Sequence, residues 1–192
     1  ENCQNYDISQ LPKERIKISG KDLTPEEIVS AALKYKCKSI AYTYSEPTIF
    51  FEYAYEIAKI AHKNGLKNIF VTNGYITSEA LKKIGPHLDA ANIDLKSFNK
   101  DVYSKKCGAV LQHVLDSIKL YKKLGIWIEI TTLIIPTIND SDDELLKISK
   151  FIKNEVDKKA PWHFTQFFPT YKMVNIHRTQ ITTLIKDREI GL

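Results

Sequence analysis

The chain has 192 residues, 43% of them hydrophobic and 27% charged, with a formal net charge of +5. That is the make-up of an ordinary soluble chain long enough for one buried core. No apolar run approaches the ~20 residues needed to span a membrane, and the first residues are polar with no signal-peptide core. The positive charge is mostly lysine, with Arg15, Arg178 and Arg188 the only arginines. Lysines such as Lys34, Lys59, Lys82, Lys119 and Lys147 are spread over helix faces and interleaved with apolar positions. That argues for a solvated surface and against nucleic acid as a partner.

Cys3, Cys37 and Cys107 are odd in number and widely spaced, without zinc-ligand spacing or the even count of a secreted disulfide framework. A reducing, cytoplasmic setting is expected. Cys37 reads as a small hydrophobe at a helix end. The one methionine is Met173 and the chain starts at Glu1. A piece cut from a longer protein is therefore expected.

In chain order, Thr24-Pro25-Glu26-Glu27 predicts a helix with an N-cap threonine, a first-turn proline and a capping-box glutamate. Its expected apolar face is Ile28, Ala31, Ala32 and Tyr35. A strand over 39–44 follows, stopped at Ser45-Glu46-Pro47. Pro47 opens a helix over 48–64 closed by Gly65. The spacing then predicts a strand over 68–72 stopped by Asn73-Gly74, a helix over 78–84, and a strand over 91–96. A helix over 110–124, a strand over 127–135 stopped by Pro136, and a capping box at Ser141 opening a helix to about Val156 come next. A strand over 162–168 and a last helix from near Thr179 complete the set. Five strands alternating with helices predict a parallel sheet in one domain, residues 1–192.

Thr43, Asn92, Asp94, Glu129, Thr131, His163 and Gln166 place polar side chains along the strands, which a lined barrel interior accommodates better than a doubly covered open sheet. Function gathers at the C-terminal strand ends in either case. There, Glu46 suits an ammonium, Asn73 or Asp94 suits hydroxyls, and Lys96 suits a carboxylate or a Schiff base. Each could also merely cap a helix or pair with a neighbour. Gly74 and Gly108 belong to no phosphate-loop pattern, and no serine sits in a nucleophile elbow. Of the histidines, His163 is the candidate site residue.

Taken together, CQNYDISQ (residues 3–10), YTYSEPT (42–48), VTNGY (71–75), NIDLK (92–96), LIIPTIND (133–140) and HFTQFFP (163–169) resemble the radical S-adenosylmethionine superfamily. The branch is that of the pyruvate formate-lyase-activating enzymes, and within it the AmmeMemoRadiSam-system radical enzymes. The resemblance covers essentially the whole chain. It implies an α/β fold, a partial (βα)6 TIM-like barrel with a parallel sheet, lacking here the first strand and the C-terminal end. It also implies a [4Fe-4S] cluster bound by a CxxxCxxC loop, with S-adenosylmethionine on the fourth iron. Cys3 matches the last cysteine of that loop and would be the metal ligand, the other two lying upstream.

By position, Tyr44, Ser45 and Glu46 fall on the family's GGE element, with only the glutamate kept. Thr72 and Asn73 fall on its TNG element, and Asp94 and Lys96 on its DLK element. Thr131 stands where some activating enzymes carry arginine, and His163 matches a cofactor-side histidine. All nine would be cofactor-binding. No residue stands out as a separate substrate acid or base. The implied chemistry is reductive cleavage of S-adenosylmethionine to a 5′-deoxyadenosyl radical that abstracts hydrogen from a protein or small molecule. An electron donor such as flavodoxin or ferredoxin is the implied partner.

With one loop cysteine, the chain by itself is expected to be inactive and to bind the cofactor weakly. Two rival readings are a lyase using Lys96 as a Schiff base, open to borohydride trapping, and a basic RNA-binding module.

Overall fold

The computed structural model describes residues 20–191; Cys3 lies outside them, so its expected role as a metal ligand lies there too. The elements are α1 (Pro25–Lys34), β1 (Ser39–Tyr42), α2 (Phe51–Lys63), β2 (Lys67–Thr72), α3 (Ser78–Ile84) and β3 (Ala90–Asp94). They continue with α4 (Lys100–Val102), α5 (Leu111–Lys123), β4 (Trp127–Ile134), α6 (Asp142–Phe151), β5 (Trp162–Gln166) and α7 (Ile181–Gly191). The strands form one sheet in the order β1-β2-β3-β4-β5, every neighbouring pair parallel. The α/β architecture expected from the alternation is the one observed.

Local chemistry explains most boundaries. Thr24 accepts from the Glu27 backbone N–H, and the Glu27 side chain accepts from that of Thr24, closing the capping box. Thr77 and Ser141 cap α3 and α6 by accepting from the Ala80 and Glu144 N–H groups, but the capping box expected at Ser141 does not close, because the Glu144 side chain turns to Ser97 and Phe98. Gly74 ends β2 at φ 71°, and a Cβ there would meet Ile93 Cγ2 at 2.8 Å. Glycine is needed at that position for both conformation and space.

The sheet has two unlike faces. Asn68, Phe70, Ala91, Ile93, Ile128, Ile130, Thr132 and Ile134 are buried. Phe70, Ala91, Ile93, Ile128 and Ile130 join Ala58, Leu81, Ile118, Tyr121 and Ile148 from the helices in one cluster. The intervening residues, among them Val71, Asn92, Asp94, Glu129, Thr131 and His163, are half-buried or exposed. Successive side chains of a strand point to opposite faces, so this is the expected pleat with one face covered by helices.

Several expectations are corrected. Helix α1 buries Val29 and packs Ile28 and Ala32, while Tyr35 is 77% exposed, because the stripe runs through Ile28, Val29 and Ala32. Cys37, expected to behave as a small hydrophobe, is exposed. Gln166 points to the helix side, where its Nε2 donates to the Thr179 carbonyl. The segment after β3, to which the sequence pattern assigns no element, forms α4 and a π-turn over Tyr103–Cys107 ended by Gly108 at φ 65°. Asn99 caps it by accepting from the Asp101 N–H.

Helix α7 breaks the usual pattern. Asp187 is fully buried with neither carboxylate oxygen hydrogen-bonded, while Ile181 and Ile185 are exposed. Burial raises the Asp187 carboxyl from 3.8 to about 6, Asp140 and Asp142 adding to the rise and Lys186 opposing it. A carboxyl whose folded value is raised favours the native state only while protonated. Its ionised form therefore destabilises the fold increasingly from about pH 4 to about pH 6, and fully above that. Asp187→Asn is expected to stabilise the chain by roughly 2–3 kcal/mol at pH 7.5 and by little at pH 4. Thermal melts of both proteins at the two pH values would check this; equal gains at both would count against it.

Candidate functional site

The C-terminal ends of parallel strands share one edge of the sheet, and several buried polar residues hold the loops at that edge. Glu46, 6% exposed, is the first brace. Its Oε1 accepts from Thr72 Oγ1 at 2.6 Å and from the Thr48 N–H and Oγ1; its Oε2 accepts from the Asn73 N–H at 2.8 Å. The carboxylate predicted to meet an ammonium is thus engaged with its own chain, tying the β1–α2 loop to the end of β2. Thr72 in turn accepts from the Gly74 N–H, and Asn73 Oδ1 accepts from the Tyr75 N–H. Tyr44, at φ 41°, and Ser45 stand exposed just before the brace.

The second brace is Asn139, in the LIIPTIND segment and 1% exposed. It donates to the carbonyls of Lys96 and Leu133 and accepts from the Ile135 N–H, locking the loop after β4 onto the end of β3. Glu144, from α6, accepts from Ser97 Oγ and the Phe98 N–H. Tyr103 OH accepts from the Lys96 N–H. The DLK segment is therefore held from both sides.

Between these braces the open face of the sheet carries a polar row. Asp94, Thr131 and His163 are in register across β3, β4 and β5, with Asn92 and Glu129 paired one step below. Lys96 Nζ donates to Asp94 Oδ2 at 2.8 Å, both side chains about one-third exposed. Burial works to lower the Lys96 ammonium, but Asp94 beside it, with Cys107 and Glu46 further off, leaves it raised and charged. The Cys107 thiol is pushed up by burial, which outweighs Lys96. His163 Nε2 lies 3.0 Å from Glu129 Oε2, and Thr131 Oγ1 donates to Asn92 Oδ1 at 2.8 Å.

The structure thus gathers Asp94, Lys96, Thr131 and His163 on one face and leaves Asn73 at the adjoining strand end. Thr72 faces the helices and Glu46 is engaged. Asn92 and Glu129, noted in the sequence only as polar strand residues, complete the row. Their alternation with Ile93, Ile128 and Ile130 is the signal that places them on the open face. Among the described residues no group of three His, Cys, Asp or Glu side chains could hold a metal ion.

The Radical SAM superfamily profile matches residues 2–150. The chain belongs to the Radical SAM superfamily. It is 46% identical over 191 residues to an uncharacterized protein of Methanocaldococcus jannaschii, all of this chain aligning with 56% of that protein's length. Identity to the pyruvate formate-lyase-activating enzyme of Clostridium pasteurianum is 26% over 184 residues, covering 91% of this chain and 74% of the enzyme. The solved domain of a pyruvate-formate lyase-activating enzyme from Bacteroides vulgatus superposes with a TM-score of 0.64 at 16% identity, covering 80% of this chain and 92% of that one. A radical SAM methyltransferase from Sphaerobacter thermophilus gives 0.69 at 14% identity, covering 89% and 55%. These neighbours share the fold, the five parallel strands corresponding to a partial barrel whose open face carries the polar row.

The Glu46 brace makes a checkable case. Glu46→Gln keeps size but turns one acceptor oxygen into a donor facing Thr48, Thr72 or the Asn73 N–H. A loss of about 2 kcal/mol is expected, a melting temperature lower by roughly 4–8 °C for a chain of this size. A circular-dichroism melt within 1 °C of wild type, on the order of 0.5 kcal/mol or less, would show that the carboxylate is not a structural brace.

Proposed function

We propose that this chain is the cofactor-binding core of a radical S-adenosylmethionine enzyme of the pyruvate formate-lyase-activating-enzyme type. The observation that carries this reading is the in-register row Asp94, Thr131 and His163 on the open sheet face, in a chain of this superfamily. The row fits S-adenosylmethionine by chemistry: carboxylate, hydroxyl and imidazole acceptors suit ribose hydroxyls and an ammonium, and the charged Lys96 suits the methionine carboxylate. Asn73, at the strand end beside them, adds an amide. Tyr44 and Ser45 would contribute from the exposed turn ahead of Glu46, whereas Glu46 and Thr72 would act by holding that turn.

Cys3 would be one cluster ligand, joined by two cysteines upstream. When bound, the [4Fe-4S] cluster supplies the electron that cleaves S-adenosylmethionine into methionine and a 5′-deoxyadenosyl radical competent to abstract hydrogen. The chain's own share is to orient the cofactor on rigid strand ends and to keep water off the covered side. The charged state of Lys96 supports this reading over a Schiff-base lyase, which needs a neutral amine. A reduced flavodoxin or ferredoxin suits the electron supply, and the hydrogen donor is a protein or a small molecule.

The test uses the longer reading frame that restores the complete cysteine loop, reconstituted anaerobically with iron and sulfide. With dithionite and S-adenosylmethionine it is expected to release 5′-deoxyadenosine. Cys3→Ala should abolish that release, and Asp94→Ala should cut it at least tenfold, roughly 1.4 kcal/mol. A protein with an intact cluster and no 5′-deoxyadenosine would overturn the reading.

A further inference from the structure

We propose that Glu129 is the positioning residue for His163, fixing the imidazole with its proton on Nε2 and leaving Nδ1 as a hydrogen-bond acceptor on the open face. The proposal rests on the reading of His163 as a ligand-facing residue given above, and extends it to a residue that reading does not include.

The geometry follows from what each group can do. An ionised carboxylate only accepts, so the 3.0 Å contact between Glu129 Oε2 and His163 Nε2 requires the proton on Nε2. In a neutral imidazole the other nitrogen then carries a lone pair. Three groups fix Glu129 itself: Asn92 Nδ2 donates to Oε2 at 3.4 Å, Trp127 Nε1 donates to Oε1 at 3.4 Å, and His163 makes the third contact. Burial works to raise the Glu129 carboxyl, but the hydrogen bonds from His163, Trp127 and Asn92 and the nearby imidazole outweigh it and hold it below the ordinary carboxylate range. An exposed polar contact between two flexible side chains would be worth little. This one is anchored on neighbouring strands and faces the row described above.

The same acceptor fixes the next residue along. Because Glu129 cannot donate, Asn92 must turn its NH2 toward it, which leaves Asn92 Oδ1 to accept the Thr131 hydroxyl proton at 2.8 Å. Thr131 then has only lone pairs to offer a ligand. The in-register row of Asp94, Thr131 and His163 consequently presents acceptors. It selects a hydrogen-bond-donating edge, such as hydroxyls or an ammonium, and disfavours a carboxylate or phosphate.

The experiment reads the imidazole directly. The 192-residue chain is labelled with 13C,15N-histidine, and long-range 1H–15N spectra are recorded at a pH where imidazole is neutral. His163→Gln identifies the signals by their disappearance. The wild type is expected to hold the Nε2–H tautomer by roughly ten to one or more, as one charge-assisted hydrogen bond implies. Glu129→Gln, whose amide can donate to Nε2, should shift His163 toward Nδ1–H, and Glu129→Ala should relax it toward the ratio of free imidazole. A wild type with Nδ1–H, or a ratio unchanged in both folded variants, would overturn the proposal. The measurement needs no cofactor. Failure of the longer protein to form 5′-deoxyadenosine would therefore count against the function alone, and an unmoved tautomer against Glu129 alone.

Discussion

A sheet covered by helices on one face must alternate apolar and polar side chains along each strand, and the rest of this structure depends on that alternation. In β4 the covered side is Ile128, Ile130, Thr132 and Ile134, and the open side is Trp127, Glu129, Thr131 and Leu133. Each isoleucine fully removed from water contributes about 1.5–3 kcal/mol, so a register slip by one residue would expose the set and bury Glu129. Core packing thereby fixes which polar groups meet on the open face. The polar row is the complement of the hydrophobic one. Because all the strands run parallel, its most polar members also collect at one edge, where the loops can enclose a ligand.

Those loops are held by buried polar side chains as well as by apolar packing such as that of Ile135 and Ile138. Glu46, Asn139 and Glu144 are each nearly inaccessible; the two glutamates accept from backbone and hydroxyl donors of segments distant in sequence, and Asn139 donates to the distant Lys96 carbonyl. A buried polar group costs stability unless its partners are supplied, and these three are supplied with several each. The geometry they enforce is directional in a way that leucine packing is not. Strand ends held like this keep Asp94 and Lys96 in one arrangement without a ligand, which lowers the ordering cost of binding one.

The five strands were legible because the capping box at Thr24, the N-cap at Ser141, breakers at Gly65, Gly74 and Pro136, and runs of β-branched residues agree with the fold. The alternation also marked Asn92, Asp94, Glu129, Thr131 and His163 as residues of a lined interior, and the sheet places all five on its open face. Gln166 failed because strand parity shifts by one against His163, a distinction invisible without knowing where β5 begins. The role of Glu46 is ambiguous in the sequence for a different reason. A glutamate ahead of a helix is as consistent with an exposed ligand site as with an internal brace, and only the folded positions of Thr72 and Asn73 decide. The turn over 100–107 lacks a helical stripe and is held by one tyrosine, Tyr103, so periodicity gave no warning of it.

The charge pattern separates the reading adopted here from its two rivals. A Schiff-base lysine must spend time as a neutral amine, and the usual way to achieve that is burial without a counter-ion. Lys96 has its counter-ion two residues away and on the same open face, so forming an imine there would first require breaking the ion pair with Asp94. An RNA-binding surface, in turn, needs lysines free to neutralise phosphates along a track. Here Lys59, Lys119, Lys122 and Lys147 each pair with a carboxylate on the protein, at Glu56, Asp116 and Glu155, Asp157, and Asp143. The net charge is then an excess spread over helix faces. What concentrates chemistry is the open face of the sheet, where acceptors are arranged in register and one lysine is kept charged beside them.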